Sequence, residues 1–343
     1  MPEGYDYSMN LKRQSCGYSI VELVVVIVVI GILATIVIVS YNGVQNRAIA
    51  NSLRSDLNNA SDFLRVDRAL SSTGVFPTTL AAANGGMGVK ASSGTAFTYT
   101  VNNTNTPKTF CLTATKNAQI YNINQEGISF AGPCPVLWLD AGTTTSYPGT
   151  GTIWNDLSGN GNNGTLVNGV TYNNTNSGAL AFDGINGWAS IPDSSSLDLV
   201  TGVTIEAWIN PTSGGGTWYG ILSKGNAQSY ALTFNSPSTY LHFETPASNA
   251  INSPVGVVPF NVWTYVVATF DGLTKNIYVN GNLSVSGALV ANLTVNNEPL
   301  RVGQGNDGEF FKGKIANVSV YSRALSAGEI LQNFNALHNR YGI

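Results

Sequence analysis

The pattern of apolar and polar positions changes three times along the chain. From Leu23 to Val39 every residue is apolar except Gly31 and Thr35. A run of that length is long enough to span a bilayer or nearly so, at roughly 20 helical residues for 30 Å of hydrocarbon. Beyond it Ile49, Leu53, Leu57, Ala60 and Leu64 recur at steps of four, four, three and four, the spacing of one helix face. Arg47, Arg54, Asp56, Arg65 and Asp67 fall between them as a solvated set. Ser71-Ser72-Thr73-Gly74 ends the pattern and Pro77 prevents an immediate restart. The spacing predicts one helix from Ser19 to about Leu70, on the order of 75 Å long, half apolar and half amphipathic.

The period then becomes two. Phe97, Tyr99 and Val101 alternate with polar residues in "AFTYTV" (96–101), as do Phe110, Leu112 and Ala114 in "TFCLTA" (109–114). With "AQIYNIN" (118–124) these predict a small antiparallel sheet with one buried face. From Val136 onward many short apolar runs are separated by Gly, Asn and Asp. The clearest strands are 203–210, 230–234, 263–270, 275–285 and 314–321, with hairpin turns at Asn280-Gly281 and Asp271-Gly272. Ser326-Ala327-Gly328-Glu329 is a capping box opening a short final helix through Leu337. About 200 residues of this texture predict a two-sheet sandwich. The fold class is α+β: a long N-terminal helix, a small antiparallel sheet, then an all-β jelly roll.

Composition narrows the picture. Charged residues are 10% of the chain, against roughly 25% in an average soluble protein, so the surface is built from Asn, Thr, Ser and Gly. The net charge of −3 gives no electrostatic case for nucleic acid or anionic lipid. Lys12 and Arg13 precede the apolar run and the next basic residue is Arg47, which keeps the N-terminus in the cytoplasm and sends the rest across. Of three cysteines, Cys16 lies upstream of the run, while Cys111 and Cys134 lie downstream and form the natural pair in an oxidising compartment. The alternative is two free thiols. A cleaved secretory signal would need a small-x-small site close to the apolar core; Ala48-Ile49-Ala50 fits formally, but Tyr41 to Arg47 separate it from that core. A plain signal anchor leaves Glu22, at the mouth of the run, without a purpose.

A carboxylate beside so much hydrocarbon costs a few kcal/mol unless it is paired. A cut between Gly17 and Tyr18 would make Glu22 the fifth residue and expose an amine at Tyr18. The carboxylate of one copy could then meet the amine of the next, but only with an axial offset between stacked copies. "GYSIVELVVVIVVIGILATI" closely resembles the type IV pilin N-terminus, with Tyr18 where phenylalanine is commonest. The resemblance implies cleavage after Gly17 by prepilin peptidase, N-methylation of Tyr18 and an assembly role for Glu22. It also implies a stalk helix that carries the small sheet, and a disulfide loop closed by Cys111 and Cys134. Such a loop of about 24 residues is worth roughly 3 kcal/mol in the chain-entropy model.

The C-terminal region resembles the laminin G-like, concanavalin A-like jelly roll in five ordered segments. They are "WNDLSGNGNNGTLVNGV" (154–170), "ALAFDGINGWASIPDSSSLDL" (179–199), "VTIEAWINP" (203–211), "WTYVVATFDGLTKNIYVNG" (263–281) and "FFKGKIANVSVYSRALSAGEI" (310–330). Asp156, Asn160, Asn162 and Asp183 are oxygen donors in loops, suited to calcium, although such residues also make Asx turns, and the resemblance implies calcium near Asp156 and Asp183. The family's usual Ile-Asp-Glu-Val is Ile315-Ala316-Asn317-Val318 here, so two of its acids are missing. Glycan hydrolases on this fold use paired carboxylates. This chain has no Glu-x-Asp-x-x-Glu, and Glu206, Glu244 and Glu309 stand without partners in sequence, so no catalytic residue is assigned. Trp188, Trp218 and Tyr219 lie beside Gly-rich loops and could stack on a pyranose ring; the alternative is that they fill the core or a domain joint. Trp208 and Trp263 sit in strands and read as core.

The expected layout is a leader at 1–17, a helix at 18–70 spanning the membrane at about 20–40, a pilin head at 71–135 and a jelly roll at 136–343. The expected role is a pilin-like filament subunit, minor or tip-located, because 200 residues are bulky for every position of a tightly packed filament. It would be displayed outside the cell after passage through the inner membrane and would bind a glycan or protein on a surface. Its partners would be other pilin subunits, prepilin peptidase and the pilus assembly machinery. Two alternatives are a pseudopilin of a secretion or DNA-uptake machine and a membrane-tethered glycan hydrolase.

Overall fold

The computed structural model describes residues 19–225, 229–246, 249–288, 293–305 and 308–343. The leader, Cys16 and the Gly17–Tyr18 bond lie outside them. One helix, α1 (Ile20–Leu70), runs through the apolar and amphipathic stretches alike. Its start is a reciprocal cap: the Ser19 N–H donates to Glu22 Oε2 at 2.8 Å and the Glu22 N–H to Ser19 Oγ at 3.1 Å. Inside the apolar run, the Thr35 hydroxyl donates to the Gly31 carbonyl at 2.7 Å, so its one polar group is satisfied within the helix.

The chain divides within α1 into two compact units, which meet between Ile49 and Ala50. In the second unit Leu53, Leu57, Ala60 and Leu64 are fully buried, as their spacing predicts. Asp56 departs from the expected solvated set. It is buried and accepts bonds from the Ser92 N–H and hydroxyl. The head sheet pairs β1 (Ala96–Asn102), β2 (Thr109–Lys116), β3 (Gln119–Asn124) and β4 (Ser129–Ala131) in that order, all antiparallel. Cys111 on β2 is bonded to Cys134.

The sandwich strands are β5 (Leu137–Asp140), β6 (Ile153–Trp154), β7 (Gly164–Val167), β8 (Thr171–Asn173), β9 (Ala179–Asp183), β10 (Trp188–Ile191), β11 (Val203–Pro211) and β12 (Trp218–Lys224). They continue as β13 (Tyr230–Asn235), β14 (Tyr240–Thr245), β15 (Asn249–Asn252), β16 (Thr264–Phe270), β17 (Thr274–Val279), β18 (Asn282–Ala288), β19 (Leu300–Val302) and β20 (Lys312–Tyr321). One sheet runs β18-β17-β16-β11-β20-β9-β8, with β5 also on β20; the other runs β15-β14-β13-β12-β19-β10-β7-β6. Their inner faces share one core, in which Ile205, Ala207 and Ile209 meet Leu222, Leu232 and Phe243. The β17–β18 hairpin turns through Asn280 and Gly281, both at positive φ, as the dipeptide predicts.

The final helix, α2 (Ala327–Tyr341), opens on the predicted capping box at Ser326 and Glu329 and runs one turn past Leu337. Head and sandwich are separate sheets but fall in one unit. The joints between them are side-chain bonds and ring contacts that no sequence spacing announces. Tyr121 of β3 bonds Gln332 of α2, the Ala131 N–H of β4 donates to Asn333 Oδ1 at 2.8 Å, and Phe130 meets Trp138 edge to face at 4.9 Å.

Candidate functional site

Strand alternation gives each sheet an outer face, and the two outer faces have opposite fates. On β11 the outward residues are Thr204, Glu206 and Trp208, the inward set being in the shared core. Trp208 is fully buried all the same. Its ring stacks on Tyr341 of α2 at 4.1 Å and lies 5.8 Å from Phe334. Ile330, Leu337 and Tyr341 of α2, with Phe130 and Trp138, close this face into a second core. Arg340 anchors the end of α2 by a two-bond fork to Asp140, both at 2.8 Å.

Glu206 lies beneath that cover, 4% exposed. Its carboxylate accepts from Asn333 Nδ2 at 3.1 Å and from the Tyr321 hydroxyl at 3.3 Å. Burial pushes its pKa up to about 7, outweighing the opposing hydrogen bonds. The space beside it, lined by Tyr265, Asn317, Ser319 and Leu337 among others, is about 10 Å³, near the minimum for one water. A substrate cannot reach this acid without removing α2.

The other sheet keeps its outer face. Trp188 and Ser190 on β10, Arg301 on β19, Trp218 on β12, and Tyr240, His242 and Glu244 on β14 all point outward and stay partly exposed. Trp218 reaches over β13 to meet Tyr240 edge to face at 5.9 Å and His242 at 5.1 Å. His242 lies 2.7 Å from Asn252 Oδ1 through Nδ1 and 3.8 Å from Glu244 through Nε2. The Arg301 guanidinium sits 5.6 Å from the centre of the Trp188 ring. Only β19 separates β10 from β12, so the two tryptophan strands are about 10 Å apart. Between these aromatics Ser223 and Thr233 share the face by register, and neither hydroxyl has a hydrogen-bond partner. Beside Trp218 the backbone at Gln304–Gly305 crosses Gly220 so closely that a Cβ there would stand 1.7 Å from the Gly305 nitrogen.

The structure therefore brings Trp188 and Trp218 to one face, but not Tyr219. Adjacent strand residues point to opposite sides, and Tyr219 is fully buried in the shared core. Its hydroxyl donates to the Thr212 carbonyl and accepts from the Gly215 N–H, both at 2.9 Å. Tyr240 and His242 were missed by sequence reasoning, although the polar–apolar alternation of "YLHFET" could have placed them beside each other. Trp263 is buried, as expected, but under α2 rather than in the shared core.

The acids expected near calcium are engaged elsewhere. Asp156 is 1% exposed. Its Oδ1 accepts from the Trp138 and Ser158 N–H groups and its Oδ2 from the Ser158 hydroxyl and the Asn162 N–H. Burial pushes its carboxyl up against those lowering bonds. Asp183 Oδ1 accepts three N–H groups, from Ile185, Asn186 and Gly187. Burial raises this acid slightly, and the N–H bonds more than reverse it. Asn160 and Asn162 turn their Nδ2 donors, not their oxygens, towards the Val136 carbonyl. Asp156 thus has both oxygens filled and is buried, which leaves it no open position for a calcium ion, whereas Asp183 accepts through Oδ1 alone. Among the described residues no group of three or more His, Cys, Asp or Glu side chains converges as a metal site would require.

This is the architecture of a two-sheet jelly roll that follows a long N-terminal helix and a small antiparallel head. Residues 12–38 match the prokaryotic N-terminal methylation motif, and residues 183–331 match the concanavalin A-like lectin/glucanases superfamily. The chain is thus a pilin-type N-terminus fused to a laminin G-like, concanavalin A-like domain. No curated protein matches it by sequence. Among solved structures, the binding domain of Paraclostridial Mosquitocidal Protein 1 superposes with a TM-score of 0.50 at 18% identity, covering 61% of this chain and 55% of that one. The binding domain of botulinum neurotoxin serotype G gives 0.47 at 16%, covering 58% and 50%. Domain 4 of AbnA, a GH43 extracellular arabinanase from Geobacillus stearothermophilus solved with arabinotriose, gives 0.45 at 17%, covering 59% and 98%. At such identities the likeness concerns the fold alone. The chain spans about half the length of the two toxin domains it matches.

Proposed function

We propose that this chain is a type IV pilin-like filament subunit, minor or tip-located, whose jelly roll binds a glycan at the cell surface without catalysing its cleavage. The observation that carries the reading is the uncovered sheet face. It holds Trp188 on β10, and Trp218 with Tyr240 and His242 on β12 and β14, with β19 between β10 and β12. Flat aromatic groups spaced over a polar floor suit an oligosaccharide, whose sugars offer apolar ring faces and hydroxyl edges in alternation. The hydroxyls of Ser223 and Thr233 on this face are buried, so the polar groups within a sugar's reach are the partly exposed Ser190, His242, Glu244 and Arg301. The methylation motif supports the filament reading, with Glu22 meeting a neighbouring subunit's N-terminal amine after cleavage at Gly17. Before assembly that same carboxylate has a task of its own, capping α1 at Ser19.

The non-catalytic reading rests on where the acids are. Glu206 is sealed beneath α2, and Glu244 lies on the open face beside His242. The test uses the full chain in detergent on a broad glycan array. Selective binding that is lost in both Trp218→Ala and Trp188→Ala supports the proposal. Glycan binding unaffected by either substitution would place the site off this face, and no binding by folded protein would move the role to a protein ligand.

A further inference from the structure

The loop from Asp156 to Asn163 carries the acid expected at a calcium site, yet Asp156, Ser158, Asn160 and Asn162 all bond at or beside the join between head and sandwich. The geometry points to a clasp: this loop grips the linker and the head sheet, and so holds the jelly roll in one orientation on the pilin head without any metal. The partner is the chain's own head, and the reading stands apart from the glycan proposal.

The linker between β4 of the head and β5 of the sandwich is Gly132-Pro133-Cys134-Pro135-Val136. Its middle is held by the Cys111–Cys134 disulfide and by the Cys134 N–H donating to the Thr113 hydroxyl at 2.9 Å. Its far end is held at the Val136 carbonyl, which accepts three side-chain donors: Asn162 Nδ2 at 2.8 Å, Asn160 Nδ2 at 3.1 Å and the Ser158 hydroxyl at 3.2 Å. The Val136 N–H in turn donates to the Val320 carbonyl of β20 at 2.7 Å. Asp156 is the hub that shapes the loop. It bonds to Ser158 and Asn162 on one side and to the Trp138 N–H, two residues past the linker, on the other.

The tip of the loop rests on the head. A Cβ added at Gly159 would stand 3.1 Å from the Thr100 carbonyl oxygen and 3.4 Å from the Cys111 nitrogen. One at Gly161 would stand 2.4 Å from Asn102 Nδ2. Both glycines have positive φ, so the approach needs glycine for conformation as well as for space. Domains joined by a chain normally move against each other unless a large interface prevents it. Here a five-residue linker is bonded at Cys134 and at Val136, and α2 spans the joint with Asn333, which touches Ala131 of the head and Glu206 of the sandwich. A pull on the binding face would therefore reach the stalk through bonded elements rather than through a slack tether.

Calorimetry of the full chain in detergent tests this, with added Ca²⁺ in one arm and a chelator in another. The expected result is one transition for head and sandwich together, at the same temperature in both arms. Asp156→Ala should split it into two. Should that variant fail to fold, Asn160→Ala keeps the hub. Its Nδ2 touches only the Val136 carbonyl and Ser158 Oγ, so hydrogen exchange at Val136–Trp138 should rise about fivefold, with β11 unchanged. A transition raised by Ca²⁺, two transitions in the native chain, or exchange unmoved by Asn160→Ala would each overturn the clasp.

Discussion

Trp208 and Trp218 occupy equivalent positions in the alternation of their strands, both pointing away from the shared core, and they have opposite environments. Trp208 disappears beneath α2, stacked between rings, while Trp218 remains partly exposed on the open sheet. The alternation that put both aromatics outward is local, a matter of two residues per repeat. Whether an outward aromatic becomes core or platform depends on what crosses above it, and that is decided more than 100 residues away by α2. An outer sheet face is thus a second core or a binding face according to one helix.

Removing the covered member should have the largest effect. Trp208→Ala strips a fully buried indole of its contacts with Phe334, Tyr341 and Tyr265. A loss of about 3–5 kcal/mol is expected in denaturant unfolding. A value below about 1 kcal/mol would mean that α2 does not seal the face in solution. Arg340→Met attacks the cover at its far end. It leaves Asp140, 4% exposed, without its fork partner, and breaking a buried ion pair on one side typically costs about 3–5 kcal/mol. Unfolding unchanged by Arg340→Met would remove the anchor from the account.

The covered face should also report through pH. Glu206 has an ordinary value of 4.5 and is pushed up to about 7 by burial. A carboxyl raised on folding favours the folded state while it is protonated. Its contribution is therefore intact below about pH 4.5, declines as pH rises towards 7, and is lost above that. The span corresponds to about 3 kcal/mol. Glu206→Gln keeps the acceptor for Tyr321 and removes the titration, so its stability should stay flat across the same window. A native chain as stable at pH 8 as at pH 5, with Glu206→Gln no different, would show that water reaches this carboxyl. Among the described residues the open face holds no acid so deeply buried, and Trp218→Ala should leave the pH profile untouched.

The periodicities exposed much of the fold. The step of three and four in α1, the alternation of the head strands, the Asn280-Gly281 turn and the Ser326 capping box are local signals, and each element stands where its signal lies. The joints were not legible, because Asn333 reaching from Glu206 to Ala131 links residues up to 202 positions apart. The site was half legible for the same reason. Tryptophans beside Gly-rich loops marked the open face, but Tyr219 was drawn in by nearness in sequence, where strand geometry sends neighbours to opposite sides. The Asp156 loop shows the limit of a motif. Its residues match a family pattern, while the Asn160 and Asn162 amide nitrogens hold the Val136 carbonyl and the Asp156 oxygens hold Trp138 and the loop itself.

The smallest expected effect on stability is the most informative for function. Trp218 meets Tyr240 edge to face and His242 at a tilt, and it lies outside the shared core. Trp218→Ala should therefore cost no more than about 1 kcal/mol in the unfolding experiment that takes 3–5 from Trp208→Ala. On an immobilised glycan it should abolish retention, and Tyr240→Ala, which removes the ring that braces it edge to face, should weaken retention by a smaller factor. Tyr219→Phe sharpens the contrast. It takes a hydroxyl from a buried bond to the Thr212 carbonyl, so it should lower stability by about 1 kcal/mol and leave retention alone. If Tyr219→Phe altered retention while Trp218→Ala did not, the ligand would be held by the loop around Thr212 and Gly215, and the open sheet face would lose its role.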